Sequence, residues 1–370
     1  MAKEHAMDTN RPVTPTQASV LVKHAMHVSQ PLFIWGPPGI GKSELIEGIG
    51  KEYNRPVIDM RLLLMEPTDI KGIPYYCPKS GDMRWAKPTE LPSEDETELH
   101  DAILFLDELN AAPPAVQAAA YQLILNRRVG EYHLPKGVSI IAAGNRETDK
   151  GVTFRMPSPL ANRFTHIELQ ASFEDWQNWA VNNDVHPDVI GFLSHHKQHL
   201  FTFDPKSPDK AFATPRSWVF VSKLLSDTLS ESMNTTLVAG TVGSGLATEF
   251  ALHRRVAAKL PRPDDILTGA VTKLNTNEIS AMYSLTVSMC YTLRDWLVKA
   301  KDPQIKDYDM DDWLENSDYF FRFMMDHFKQ EMVVLGAKTA LRDYKLPFDP
   351  RKLKNFKEFH KKYGSYILDE

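Results

Sequence analysis

Near its start the chain reads "PLFIWGPPGIGKSELIEGIGKEY": a short apolar run, a glycine-rich loop and a stretch of helix-forming residues. Gly36, Pro37, Pro38, Gly39, Ile40, Gly41, Lys42 and Ser43 complete the pattern G-x-x-x-x-G-K-S, in the strand, loop and helix order the pattern requires. Glycines let the backbone wrap closely around phosphate oxygens and aim its N–H groups inward. The helix that begins at about Glu44 adds its positive N-terminal end. Lys42 would neutralise the β- and γ-phosphates, and Ser43 would offer its hydroxyl to Mg2+. A glycine-rich turn without a ligand is the plainer alternative, and the flanking strand and helix argue against it.

A second stretch, "ILFLDELN", ends an apolar strand in two adjacent carboxylates, Asp107 and Glu108. An unpaired buried carboxylate costs several kcal/mol, so the pair needs a cation, a hydrogen-bond partner or water at the strand end. The phosphate loop supplies the reason. An acidic residue closing a second core strand holds the Mg2+ shell in such folds, a task suited to Asp107, while Glu108 can orient or deprotonate an attacking water. The blander reading makes Glu108 the start of a solvated loop or a cap for the helix near Pro114.

Around these motifs, "RPVIDMRL" and "GVSIIAAGN" read as buried strands and "FTHIELQ" as a weaker one, separated by helices at 44–53, 114–127 and Pro159 to Phe164. Strands alternating with helices imply an α/β fold with a mostly parallel central sheet. Val116, Ala120, Leu123 and Ile124 share one helical face and read as core. Residues 64–98, rich in Pro, Gly and charge, read as an insertion with a turn at "KSGD". From Phe173 onward helical stretches dominate, with breaks at 260–266 and 301–312. The expected organisation is a nucleotide-binding unit over 1–172, a helical lid over 173–270 and a helical extension over 271–370.

Composition narrows the setting. At 370 residues, 42% hydrophobic and 25% charged, the chain has the balance of a globular protein, and no apolar run approaches the ~20 residues that span a bilayer. The polar N-terminus lacks the order of a signal peptide and reads as a short mobile lead-in, so a cytoplasmic location is expected. Two distant cysteines, Cys77 and Cys290, indicate reduced structural thiols. A net charge of -5 gives no general attraction to nucleic acid.

Taken in order, Gly36 to Ser43, "ILFLDELNAAPPAVQAAAYQLILNRRVGEYHLP", "VSIIAAGN", "SPLANRF" and "TPRSW" closely resemble the MoxR-type branch of the AAA+ ATPases. The resemblance implies an αβα sandwich, a helical lid, ATP and Mg2+ as cofactors, and a homo-oligomeric ring, commonly hexameric, with ATP between neighbours. It assigns Asn145 as the polar sensor that positions water, Arg163 as the arginine finger reaching a neighbour's ATP, and Arg216 as the lid arginine on the γ-phosphate. Arg155, Arg127 and Arg128 are further basic residues near the implied subunit interface. The insertion at 64–98 and the hairpin "RRVGEYHLPKG" would face a central pore, which makes Tyr75, Tyr76 and Trp85 candidates for gripping substrate, although aromatics more often pack. A partner bearing a von Willebrand A-type domain is also implied. The expected function is ATP-driven remodelling or activation of a protein client; a nucleic-acid motor or loader and an ATP-dependent binding switch stay open.

Three other signals are discounted. In "HHKQH", His195 and His199 stand four apart, but no third ligand is evident and a solvent-facing helix accounts for them. "AGTVGSGLATEF" lacks the lysine-serine pair and strand of a phosphate loop and reads as helix packing or a tight turn. "RKLKNFKEFHKK" reads as an amphipathic helix with a solvated lysine face.

Overall fold

The computed structural model describes residues 11–93, 95–149, 154–276, 278–302 and 307–368. The polar lead-in through residue 10, and residues 303–306 of the break expected at 301–312, lie outside them. The chain divides into two compact units: one runs to Ser172 and includes Phe203–Ser207, and the other comprises Phe173–Thr202 and the chain from Pro208.

In the first unit, α1 (Pro15–His27) opens on a capping box between Thr14 and Gln17. Then follow β1 (Leu32–Trp35), α2 (Lys42–Tyr53), β2 (Val57–Arg61), α3 (Pro67–Lys71), β3 (Ile73–Cys77), β4 (Asp82–Ala86), β5 (Ile103–Asp107), α4 (Pro114–Asn126), β6 (Arg128–Val129), β7 (Tyr132–His133), β8 (Ser139–Gly144), α5 (Ser158–Ala161) and β9 (Thr165–Glu168). Five strands form one parallel sheet in the order β2-β5-β8-β1-β9.

Alternation along each strand explains why the sheet is covered on both sides. Phe33, Leu104, Leu106, Ile140 and Ala142 enter one core with Val116, Ala120, Leu123 and Ile124 of α4. The intervening Leu32, Ile34, Ile103, Phe105, Ile141 and Ala143 enter the other with Ala18 and Val22 of α1 and Ile46 and Ile49 of α2. Period-two side chains that are apolar on both faces require helices on both faces, and the result is an αβα sandwich.

The weakest strand candidate, "FTHIELQ", is β9, an edge strand paired with β1 from Leu32↔Thr165 to Trp35↔Glu168. The helix expected from Pro159 to Phe164 is shorter. After Ala161 the backbone closes with turns from the Arg163 N–H to the Leu160 carbonyl and from the Phe164 N–H to the Ala161 carbonyl, then extends into β9.

The insertion folds as α3 and a hairpin, β3 with β4, turning at Pro78 to Gly81, where Gly81 takes φ +73°. A second hairpin joins β6 to β7 through Gly130. Arg127, which ends α4 in the left-handed region, donates to the carbonyls of Pro135, Lys136 and Val138. Its guanidinium therefore holds this loop together. Arg128 is exposed.

The second unit is helical: α6 (Phe173–Asn182), α7 (Pro187–His195), α8 (Pro215–Leu224), α9 (Glu231–Val242), α10 (Ser244–Ala257), α11 (Pro263–Leu267), α12 (Ile279–Lys301), α13 (Met310–His327), α14 (Gln330–Lys338), α15 (Lys354–Tyr363) and α16 (Ser365–Leu368). One apolar core runs through helices on either side of residue 270, from Phe173 and Trp218 to Trp313 and Phe359. α7 and α12 meet so closely that a Cβ on Gly191 would stand 3.0 Å from the Ser284 Cα. Gly243, at φ +99°, forms the tight turn between α9 and α10. α15 buries Phe356, Phe359 and Tyr363, as its amphipathic pattern implies. "HHKQH" is not one helix: α7 ends at His195 and a 3-10 turn covers Lys197–Leu200, so His195 and His199 do not share a helical face.

Candidate nucleotide site

The loop after β1 is anchored where the Gly36 N–H donates to the Gly144 carbonyl at 3.2 Å, tying it to the end of β8. Gly39 and Gly41 take φ +73° and +100°, a region that L side chains resist. Gly41 is also the cap of α2, so Lys42 and Ser43 stand in its first turn. Lys42 is 9% exposed. Its ammonium donates to the Gly36 carbonyl (2.6 Å), the Pro37 carbonyl (3.1 Å) and Asn145 Oδ1 (3.0 Å). Ile40 packs beneath the loop in the core, and Glu44 is exposed.

The carboxylates stand where this loop needs them. Ser43 Oγ donates to Asp107 Oδ2 at 3.0 Å, and Asp107 Oδ1 accepts from the Glu108 N–H at 2.9 Å. Adjacent corners of an octahedron with Mg–O bonds of about 2.1 Å lie about 3.0 Å apart. The two hard oxygen donors thus fit a magnesium ion. Glu108 itself takes φ +55°, unusual for a residue with a side chain and a conformation that concentrates at functional turns. One strand over, burial first and then the charge of Asp107 push the Asp59 carboxyl above its ordinary range, while Arg61 opposes both. β5 thus ends beside a second carboxylate, which strengthens the local demand for a cation.

Asn145, just past β8, accepts from Lys42 through its side-chain oxygen, so its amide N–H2 is the end available to a phosphate or water. Sequence reasoning missed the residue that holds it. Asn110, 2% exposed, donates through Nδ2 to the Asn145 carbonyl at 2.7 Å. A Cβ on Gly144 would fall 2.1 Å from Asn110 Oδ1, so glycine is required there. The signal is present in "LDELN", just past the end of β5, but a polar residue after a strand reads as a loop until its burial is known. Arg146 was also missed; it binds Asp149 (2.8 Å) and Glu168 (2.6 Å) and braces the chain after Asn145 against β9.

Residues 31–164 match the AAA domain of the dynein-related subfamily. With the loop, the paired carboxylates and the parallel sheet in place, that match decides the matter. Residues 31–164 are an AAA+ domain. The match indicates an ATP-hydrolysing unit, and Lys42, Ser43, Asp107, Glu108 and Asn145 all lie within it.

Midasin from Giardia intestinalis is 26% identical over 193 residues, 49% of this chain and 4% of that protein. The chain thus spans a small fraction of this relative's length. Among solved structures, a mutant RuvB of Thermotoga maritima aligns at 14% identity over 89% of this chain and 84% of its own, with a TM-score of 0.33. NtrX of Brucella abortus, in complex with ADP, aligns at 14% identity over 95% and 67%, also at 0.33. Likenesses this weak decide neither fold nor function.

The remaining expected residues lie outside this cluster. Arg163 precedes β9, and the Gln30 side chain donates to its carbonyl, which places it at the N-terminal end of the AAA+ sheet, opposite the phosphate loop. It is exposed, with no carboxylate partner among the described residues. Arg155 is exposed as well. Arg216 stands in the first turn of α8 in the helical unit, where Thr214 and Ser217 form a capping box. In the insertion hairpin, Tyr75 and Tyr76 are 46% and 61% exposed; Trp85, 38% exposed, borders Gly130 of the second hairpin, where an added Cβ would stand 3.5 Å from its ring. Trp85 therefore packs as well as showing a surface. Among the described residues no helix is long and apolar enough to cross a membrane.

Proposed function

We propose that this chain is a MoxR-like AAA+ ATPase that couples ATP binding and hydrolysis to remodelling or chaperone-like activation of a protein client, working as a homo-oligomeric ring, hexameric by family resemblance. The observation that carries the reading is the convergence of Lys42, Ser43, Asp107, Glu108 and Asn145 at one end of a parallel sheet. When bound, Mg2+ and ATP supply the transferable phosphoryl group and the charge neutralisation that its transfer needs.

Loop amides and Lys42 hold the phosphates, Lys42 exchanging a carbonyl partner for a phosphate oxygen. Ser43 and Asp107 would hold the metal. Glu108 orients water and takes its proton, and the Asn145 amide donates to that water or to the γ-phosphate. Arg163, at the far end of its own sheet, completes a neighbour's site, and Arg216 couples nucleotide state to the helical unit. The hairpins carrying Tyr75, Tyr76 and Trp85 engage the client, and a protein with a von Willebrand A-type domain is the expected partner. A cytoplasmic location goes with this role.

Affinity capture tests the proposal. Glu108→Gln loaded with ATP and Mg2+ is compared with Lys42→Ala, and bound material is identified by mass spectrometry with and without nuclease. Nucleotide-dependent enrichment of one protein is the expected result. Recovery of nucleic acid, lost on nuclease treatment, would replace the client reading with a motor.

A further inference from the structure

We propose that His196, His199 and Glu249, all in the helical unit, form a binding site for a divalent cation of the zinc class. Their ligand atoms all lie within 4.8 Å of one another, the one such group of three among the described residues. The sequence hid the arrangement, because the third ligand comes from α10, far beyond the histidines along the chain, and the pair that contributes is His196 with His199.

The backbone that carries the two imidazoles is pinned. The His196 N–H donates to the Phe192 carbonyl at 3.0 Å and the His199 N–H to the His196 carbonyl at 2.9 Å. Trp218, fully buried, donates through Nε1 to the His199 carbonyl at 2.8 Å. The imidazole rings stack with centroids 5.3 Å apart. Beneath them lies Phe192, whose ring centroid is 4.9 Å from that of His196 and 6.0 Å from that of His199. Glu249 is set by its neighbour Phe250, which meets Phe192 edge-on at 5.4 Å. Its Oε2 stands 3.0 Å from His199 Nε2.

A histidine-carboxylate ion pair would need His199 alone. A second imidazole whose ligand nitrogen lies within 4.8 Å of both, above an apolar floor, makes a donor set of two nitrogens and one oxygen. That set suits tetrahedral zinc with one position left to water, and it suits magnesium or calcium poorly, since both prefer oxygen throughout. Tetrahedral ligands at 2.0–2.1 Å bonds lie about 3.3 Å apart. The ligand atoms here lie within 4.8 Å of one another, and Glu249, whose side chain is 52% exposed, has room to rotate toward the imidazoles. Occupancy would staple the end of α7 to α10 and stiffen the helical unit.

The test uses the full chain, stripped with a chelator and kept in excess Mg2+ so that the oxygen donors of the phosphate loop are occupied. Zn2+ is titrated by calorimetry and Co2+ by visible absorption. The expected result is one equivalent bound at about micromolar Kd or tighter, with the intense visible bands of low-coordinate cobalt. Glu249→Gln, an exposed and nearly isosteric change that preserves the fold, and His199→Ala should each weaken binding by more than about tenfold, while His195→Ala binds as the unaltered chain does. Absence of stoichiometric binding, or equal affinity in all three variants, would overturn the proposal.

Discussion

Asn110 and Gly144 interlock behind Asn145, and the consequence is a measurable coupling. Adding a methyl at Gly144 drives it into Asn110 Oδ1 and to within 2.9 Å of the Phe33 ring. Gly144→Ala should therefore cost about 1–3 kcal/mol of stability, read from denaturant midpoints. Asn110→Ala removes the donor to the Asn145 carbonyl and should cost a similar amount. In the double variant the smaller side chain at 110 vacates the space, so the combined loss should be less than the sum of the two single losses. Strict additivity would mean that the clash is absorbed elsewhere. For Glu108, replacement by Gln should slow hydrolysis by about 10² to 10⁴ and leave nucleotide affinity near its original value, checked by turnover and equilibrium binding side by side.

At the scale of an element, the turn after α14 holds an acid with an unusual setting. Thr339–Asp343 is a single π-helical turn, and Gln177 of α6 donates to Asp343 Oδ2 at 3.0 Å. Burial pushes the Asp343 carboxyl up to about 6, with Glu174 adding to the rise and Thr339, Arg342 and Lys197 opposing it. Because the folded state holds this proton more tightly than an unfolded chain, whose carboxyl titrates near 3.8, the stabilisation is full below about pH 4 and is lost as pH rises through 6. Stability should fall by about 1–2 kcal/mol between pH 5 and 7.5 on this account. Asp343→Asn should flatten that slope and raise the thermal midpoint at pH 7.5. An unchanged slope would assign the pH dependence to other groups.

For the whole molecule, the position of Arg163 makes a prediction about assembly. It is separated from its own phosphate loop by the length of the sheet, so a role in hydrolysis requires a second subunit. Arg163→Ala should bind ATP yet lose about 10³ to 10⁵ in turnover. Mixed with Glu108→Gln, it should regain part of that activity, because hybrid rings then contain intact sites. No recovery at any mixing ratio would mean that each subunit works alone.

What the sequence determined by itself is local and periodic: the loop Gly36 to Ser43, the carboxylates that end β5, the buried strands and the start of the helical region at Phe173. These signals need only neighbours in the chain, since a phosphate loop requires its glycines at set spacings and a strand buried on both faces requires a continuous apolar run. The tertiary structure alone decided the rest. "FTHIELQ", only a weaker strand candidate by sequence, was settled as a strand because β1 had an open edge; Asn110 came to hold the Asn145 carbonyl because β5 and β8 pair; Arg127 became a loop brace because three carbonyls converge on it. His196, His199 and Glu249 are the plainest case, since residues far apart in sequence meet only when α10 packs on Phe192, and no spacing rule along a chain records a contact made across a core.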